Sequence, residues 1–332
     1  MNSTLLKRIV RAIAERSEGD LDDLARKVVE SERKTGHRQL ARELESILSH
    51  STQHSKVNLR AVETPGGVHS LPQSRRFGEQ LATFIPREEL EHDMVLPTLT
   101  EQRFARIEHE FAARDRLGRY GLTPRKTILL YGPPGCGKSL GAKRLAWNIG
   151  LPLMKVRFDA LISSYFGESA ANLRSVFEAA KERPCVLLLD ECDFIARSRS
   201  TGKDIGEASR IVNSLLQLME EYDAPGILVA TTNVESSLDN ALFRRFDDVF
   251  PIPPPGRDEL ERLLRLSLSG VAVEPSVDLA AMVEELNGAS AAMVVKAARD
   301  AAKAAVLTGR QVVTNAHLRD AIAEVRSHTT ER

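Results

Sequence analysis

The chain has 332 residues, 42% of them hydrophobic and 28% charged, and its 46 basic and 46 acidic side chains give a formal net charge of +0. That balance argues against a global basic field for nucleic acid, and the length suggests two or three compact units. Three cysteines, Cys136, Cys185 and Cys192, are too few and odd in number for a disulfide framework, so a reducing cytosol is expected.

The first stretch, MNSTLLKRIVRAIAERSEGD, is amphipathic, with Lys7, Arg8, Arg11 and Arg16 interrupting its apolar residues; the continuous apolar core of a signal peptide is missing. No run in the sequence is long and apolar enough for a bilayer span. Leu5, Leu6, Ile9, Val10 and Ile13 share one helical face. Leu21, Leu24, Val28 and Val29 define a second helix entered from Asp20, and Leu40, Leu44, Ile47 and Leu48 a third after Gly36. Residues 1–50 are therefore expected to form a small helical interaction domain whose limited core calls for a partner surface. Residues 51–97 are expected to be a linker, polar and broken by Pro65, Gly66, Gly67 and Pro72. His50 and His54 have a metal-site spacing, but without a second ligand pair they read as solvated side chains.

From about residue 98 the pattern changes. Helical stretches alternate with the apolar runs TILLY (127–131), VLLLD (186–190) and GILVAT (226–231). Short β-rich runs between helices predict an α/β unit over 98–254, a parallel sheet with helices on both faces. After PIPPPGRD (251–258) the signal is helical and alanine-rich from 279 to 306, which predicts a small helical domain over 255–332.

TILLY runs directly into GPPGCGKS (132–139), which fits G-x-x-x-x-G-K-[ST] between a strand and a helix. Gly135 and Gly137 allow backbone N–H groups to turn around phosphate oxygens, and the helix beginning near Lys138 adds its positive end. Lys138 is expected to reach the β- and γ-phosphates of ATP, and the Ser139 hydroxyl to ligate Mg²⁺. Pro134, Cys136 and Leu140 complete the loop's nucleotide contacts. VLLLDE (186–191) ends an apolar strand in two carboxylates at the edge where open parallel sheets bind ligands. Asp190 suits the Mg²⁺ shell, and Glu191 suits a water positioned for in-line attack. Asp193 has two readings, a structural ion pair or a catalytic group. Cys136 also has two: an inert loop thiol, or a thiolate favoured by the helix end and Lys138.

GPPGCGKS, LLLDECD, ATTN (230–233) and LDNALFRRFD (238–247) occur in the order and approximate spacing of AAA ATPases, and residues 98–325 resemble that family as a set. The resemblance implies a P-loop NTPase fold with a helical lid. It implies that Asn233 is a polar sensor beside the γ-phosphate, and that Arg244 and Arg245 are arginine fingers supplied across a subunit boundary. A finger given in trans requires a head-to-tail neighbour, and the resemblance implies a hexameric ring. Gly288 and Ala289, in Gly288-Ala289-Ser290, resemble the lid's sensor region, and Gly121 and Leu122 of YGLTP (120–124) are the candidates beside the adenine. Cys136 and Ser139 stand where threonine is common, and the finger segment lacks a Pro-Gly insertion, which leaves the choice between Arg244 and Arg245 open.

LISSYFGES (161–169) is similar to the family's first pore loop. Tyr165 would be the aromatic that grips extended polypeptide, Phe166 its apolar partner and Gly167 the turn; the other reading packs both rings under the next helix. Residues 200–208, STGKDIGEA, would be a second pore loop. The leading expectation is a cytoplasmic ATPase that remodels, unfolds or translocates a protein, alone or beside a separate protease. The sequence contains no H-E-x-x-H. The alternative is an ATP-dependent switch that docks a partner through residues 1–50 without threading; a nucleic-acid motor is disfavoured by the charge balance.

Overall fold

Short, β-rich continuous apolar runs suit strands buried on both faces, and three of them form the centre of a sheet. They are β2 (Thr127–Tyr131), β4 (Val186–Leu189) and β5 (Ile227–Thr232). Ile128 to Leu130, Val186 to Leu189 and Ile227 to Ala230 are at most 1% exposed. The computed structural model describes residues 71–73, 78–163, 168–193, 205–233, 244–309 and 311–330. These all fall in one compact unit, Ser70–Arg332, and the expected 1–50 bundle lies outside the described residues.

The sheet is completed by β1 (Ala82–Ile85), β3 (Leu153–Val156) and β6 (Asp248–Pro251), in the order β1-β3-β4-β5-β2-β6. Every pairing is parallel except β1 with β3, where Ala82 lies opposite Val156. In chain order the helices of this part are α1 (Thr98–Ala112), α2 (Arg114–Gly118), α3 (Lys138–Ile149), α4 (Phe158–Ser163), α5 (Ser169–Glu182) and α6 (Ile205–Glu220).

Alternation along the strands divides the interior into two cores. Leu129, Leu187 and Leu228 pack with Leu173, Val176 and Phe177 of α5 and Leu215 and Met219 of α6. Ile128, Leu130, Val186 and Val229 pack on the other face with Phe104 and Ile107 of α1 and Leu145 of α3. Helices therefore cover both faces, as the alternation of runs predicted.

A third core belongs to the C-terminal segment. It is built from α7 (Arg257–Ser267), α8 (Leu279–Glu285), α9 (Ala291–Leu307) and α10 (Asn315–Thr330). Ala297, Ala298, Ala301 and Ala305 form a fully buried stripe on α9, small enough for Leu264, Leu318 and Ile322 to approach closely. The segment also contains a two-residue parallel ladder, β7 (Ala272–Val273) with β8 (Val312–Val313), which the helical pattern did not predict.

The predicted linker of 51–97 differs from the structure over its second half. β1 is an edge strand of the sheet, and Leu81, Leu90 and Leu96 are buried. Single apolar residues spaced among prolines and charges give no periodic signal, yet each fills a core position. Among the described residues no helix is long and apolar enough to cross a membrane.

Candidate nucleotide site

The strand order brings the tips of β2, β5 and β4 side by side. The phosphate-binding sequence leaves the first tip and the paired carboxylates leave the last. Between β2 and α3 the chain turns through Gly135 at φ 74° and Gly137 at φ 98°, left-handed values that favour glycine. Gly135 is also closely approached: a Cβ there would lie 2.8 Å from Ser290 Oγ. Lys138 is 7% exposed and folds back over its own loop, its Nζ donating to the carbonyl oxygens of Gly132 and Pro133 at 2.8 Å each. Burial holds its pKa below the ordinary lysine value, against the opposing pull of Asp190, Glu191 and Asp193.

Ser139 Oγ donates to Asp190 Oδ1 at 2.7 Å. Thr231 Oγ1 donates to the same oxygen at 2.7 Å, and Lys155 Nζ to Oδ2 at 2.6 Å. Burial raises the Asp190 pKa, but hydrogen bonds from Lys155, Ser139 and Thr231 together outweigh it and hold the carboxyl below its ordinary value. Glu191 follows at φ 57°, a left-handed conformation uncommon for a residue with a Cβ. Its backbone N–H donates to Thr231 Oγ1 at 2.9 Å.

Asp193 accepts from the Thr232 hydroxyl, from the Asn233 backbone N–H at 2.9 Å and from Asn233 Nδ2 at 3.0 Å. An ionised carboxylate only accepts, so the Asn233 NH₂ is committed to Asp193 and its Oδ1 is turned away from it. Between the two sequence readings of Asp193, the contacts make it a support for Asn233.

A cavity of about 940 Å³ opens over these tips. Pro134, Gly135, Cys136, Gly137, Lys138, Ser139 and Leu140 all line it, together with Glu191 and Asn233. The segment Glu88–Val95 forms another wall, and α9 contributes Ala291, Ala292, Val295, Lys296, Arg299 and Lys303. Ser290 caps α9 by accepting from the Met293 N–H, and the Ala292 N–H donates to Gly135 O at 2.9 Å. The helical segment thus touches the phosphate loop through its backbone.

Several sequence-predicted residues lie elsewhere. Gly121 and Leu122 are exposed and do not line the cavity; Glu88–Val95, assigned to the linker by sequence, occupies its wall. Gly288 and Ala289 are also outside the lining: Gly288 makes the left-handed turn before α9, and Ala289 is 7% exposed in the helical core. Neither Arg244 nor Arg245 lines the cavity. Arg244 is exposed, whereas Arg245 pairs with Glu220 Oε1 at 2.6 Å and its carbonyl accepts from the Thr127 hydroxyl. Tyr165, Phe166 and Gly167 lie outside the described residues, as do residues 200–204 of the expected second pore loop; Ile205 onward is α6.

Of the two readings of Cys136, the burial of the side chain favours the inert loop thiol over the thiolate. The side chain is 4% exposed, and burial raises its pKa more than the Lys138 charge lowers it. Lys155 and Thr231 are the contributors that sequence reasoning missed. A lysine interrupting the otherwise apolar LMKV, and a second threonine before Asn233, were the available signals.

These groups fit ATP with Mg²⁺. The glycine turns leave backbone N–H groups for phosphate, and a hydroxyl beside a carboxylate is the hard oxygen donor pair that Mg²⁺ takes. Fold and site together define a P-loop nucleotide hydrolase. The family model described as ATPase family associated with various cellular activities (AAA) matches residues 128–254. The chain is 36% identical over 297 residues to a protein named uncharacterized AAA family ATPase y4kL of Sinorhizobium fredii, covering 89% of this chain and 87% of that one. It is 34% identical over 219 residues to ATP-dependent zinc metalloprotease FtsH 2 of Symbiobacterium thermophilum, covering 64% of this chain and 37% of that protein. It is 34% identical over 214 residues to the proteasome-activating nucleotidase of Methanothermobacter thermautotrophicus, covering 62% of this chain and 52% of that protein. The chain belongs to the AAA family of ATPases; it hydrolyses ATP and uses Mg²⁺ with it.

Proposed function

We propose that this ATPase forms a head-to-tail ring, a hexamer, and uses ATP turnover to unfold, remodel or translocate a protein substrate. The observation that carries the ring is the position of Arg244, exposed and away from its own cavity. A guanidinium so placed is available to a site on another copy, whereas Arg245 is tied to Glu220. The names of two relatives, a metalloprotease that depends on ATP and a nucleotidase that activates a proteasome, support a protein substrate. The chain spans about a third and a half of the length of those two proteins, and a separate protease is included in the proposal as a partner.

Within the site, Lys138 neutralises the β- and γ-phosphates once it leaves the carbonyls of its own loop. Ser139 and Asp190 would hold Mg²⁺, which would neutralise charge on the phosphate oxygens. Glu191 accepts a proton from the attacking water, and Asn233 Oδ1, freed by Asp193, accepts that water's other hydrogen. The lid reports on nucleotide through Ser290 and Ala292 against Gly135. Three free, buried cysteines suit a reducing, cytoplasmic setting.

Tyr165, Phe166 and Gly167 form the substrate grip at the ring axis. Casein, a protein without a stable fold, is a probe for that grip. It should stimulate ATP turnover of the wild-type protein, and Tyr165→Ala should lose the stimulation while retaining nucleotide affinity. Undiminished stimulation in a folded Tyr165→Ala protein would count against threading and favour a switch that acts through residues 1–50.

A further inference from the structure

We propose that Lys155 is a built-in cation that competes with Mg²⁺ for Asp190, so that metal is held firmly only together with nucleotide. The inference rests on the reading of Ser139 and Asp190 as the metal side of the ATP site. Lys155 sits on β3 between the buried Met154 and Val156, directly across from Leu188 of β4. Its Nζ lies 2.6 Å from Asp190 Oδ2, with the lysine side chain 45% exposed and the aspartate 10%. Asp190 Oδ1 is already taken by the hydroxyls of Ser139 and Thr231. The carboxylate is thus satisfied by protein donors alone.

A divalent cation held by Ser139 and Asp190 must share this carboxylate with an ammonium. Two positive charges on one anion repel, the more so where one flank is dry. Nucleotide phosphates add enough negative charge to offset the ammonium; without them Lys155 has the advantage. Lys155 is not needed to join the strands, since β3 and β4 are already hydrogen-bonded. Nor is it needed to orient Asp190, because the two hydroxyls on Oδ1 remain when the lysine is neutralised. Loss of the ammonium should therefore strengthen metal binding, the opposite of what removing an orienting group would do.

The test uses the full-length chain and a non-hydrolysable fluorescent ATP analogue, titrated with Mg²⁺. Nucleotide-free Mn²⁺ binding is followed in parallel by electron paramagnetic resonance. Lys155→Met and Lys155→Gln should each lower the half-saturating Mg²⁺ concentration about three-fold or more and gain Mn²⁺ binding without nucleotide. Lys155→Arg should behave as wild type, and Asp190→Asn should raise the Mg²⁺ requirement. Unchanged or weaker metal binding in the two neutral variants, with the Asp190→Asn effect present, overturns the role of Lys155 alone. If Asp190→Asn leaves Mg²⁺ dependence unaltered, the metal-site reading falls and the proposal falls with it.

Discussion

Glu191 donates its backbone N–H to Thr231 Oγ1 at 2.9 Å, and that hydroxyl donates in turn to Asp190 Oδ1 at 2.7 Å. One buried threonine thus ties the Asp190 carboxylate to the Glu191 backbone, at a residue held in a left-handed conformation uncommon for a side chain with a Cβ. Thr231→Val keeps the shape and removes both bonds. We expect kcat to fall roughly ten-fold or more with nucleotide affinity little changed, and Thr231→Ser to restore most of it. Steady-state kinetics beside equilibrium nucleotide binding checks the split; equal loss in the serine variant would point to packing instead.

Gly135 is where the phosphate loop meets the C-terminal helical segment. A methyl group there would be strained at φ 74° and would lie 2.8 Å from Ser290 Oγ and 3.3 Å from Ala292 Cβ. Gly135→Ala should therefore push the start of α9 away and weaken ATP binding by about ten-fold or more, since backbone and lid are disturbed together. Fluorescent nucleotide titration reads this directly.

The two adjacent arginines should behave differently. Arg245→Ala removes the partner of Glu220 and should lower the melting temperature by about 2–4 °C or less, as expected for a partly exposed ion pair. Arg244→Ala should leave the melting temperature unchanged and bind ATP, yet hydrolyse it poorly. Mixed with Lys138→Ala protein, which keeps its own Arg244, it should regain part of the lost turnover. No recovery in verified mixed assemblies would argue against a shared site.

All three cysteines are buried: Cys136, Cys185 and Cys192 are 4%, 0% and 2% exposed. Burial pushes the Cys185 thiol up to about 12 and raises the other two as well. At pH 8 the native protein should react slowly with a thiol reagent, and denaturant should release all three thiols to rapid reaction. A fast-reacting native thiol protected by ATP would restore the thiolate reading of Cys136.

The sequence was legible where residue type and spacing are dictated by one local requirement. A glycine-rich turn between strand and helix, an apolar run ending in Asp190 and Glu191, and the amide of Asn233 each mark a position that the fold brings to the adjacent strand tips. Illegible parts depend on what the fold brings together. β1 and β3 are four residues long, and neither the edge position of one nor the lysine inside the other produces an apolar run. Glu88–Val95 lines the cavity although it falls in the segment assigned to the linker, and Gly121 and Leu122, the candidates beside the adenine, are exposed and outside that lining. Lys155 is 35 residues from Asp190 in the chain, and only the β3–β4 pairing makes them neighbours.

In the proposed mechanism the groups at these strand tips hold ATP and direct water onto it, with Glu191 as the proton acceptor. Glu191→Gln preserves size and polarity while removing the basic oxygen. The direct measurement is phosphate release under saturating Mg²⁺ and ATP, made beside nucleotide affinity on the same sample. Wild-type affinity is expected, with turnover lowered by roughly two orders of magnitude or more. Turnover near the wild-type rate in a protein that binds ATP normally would contradict it.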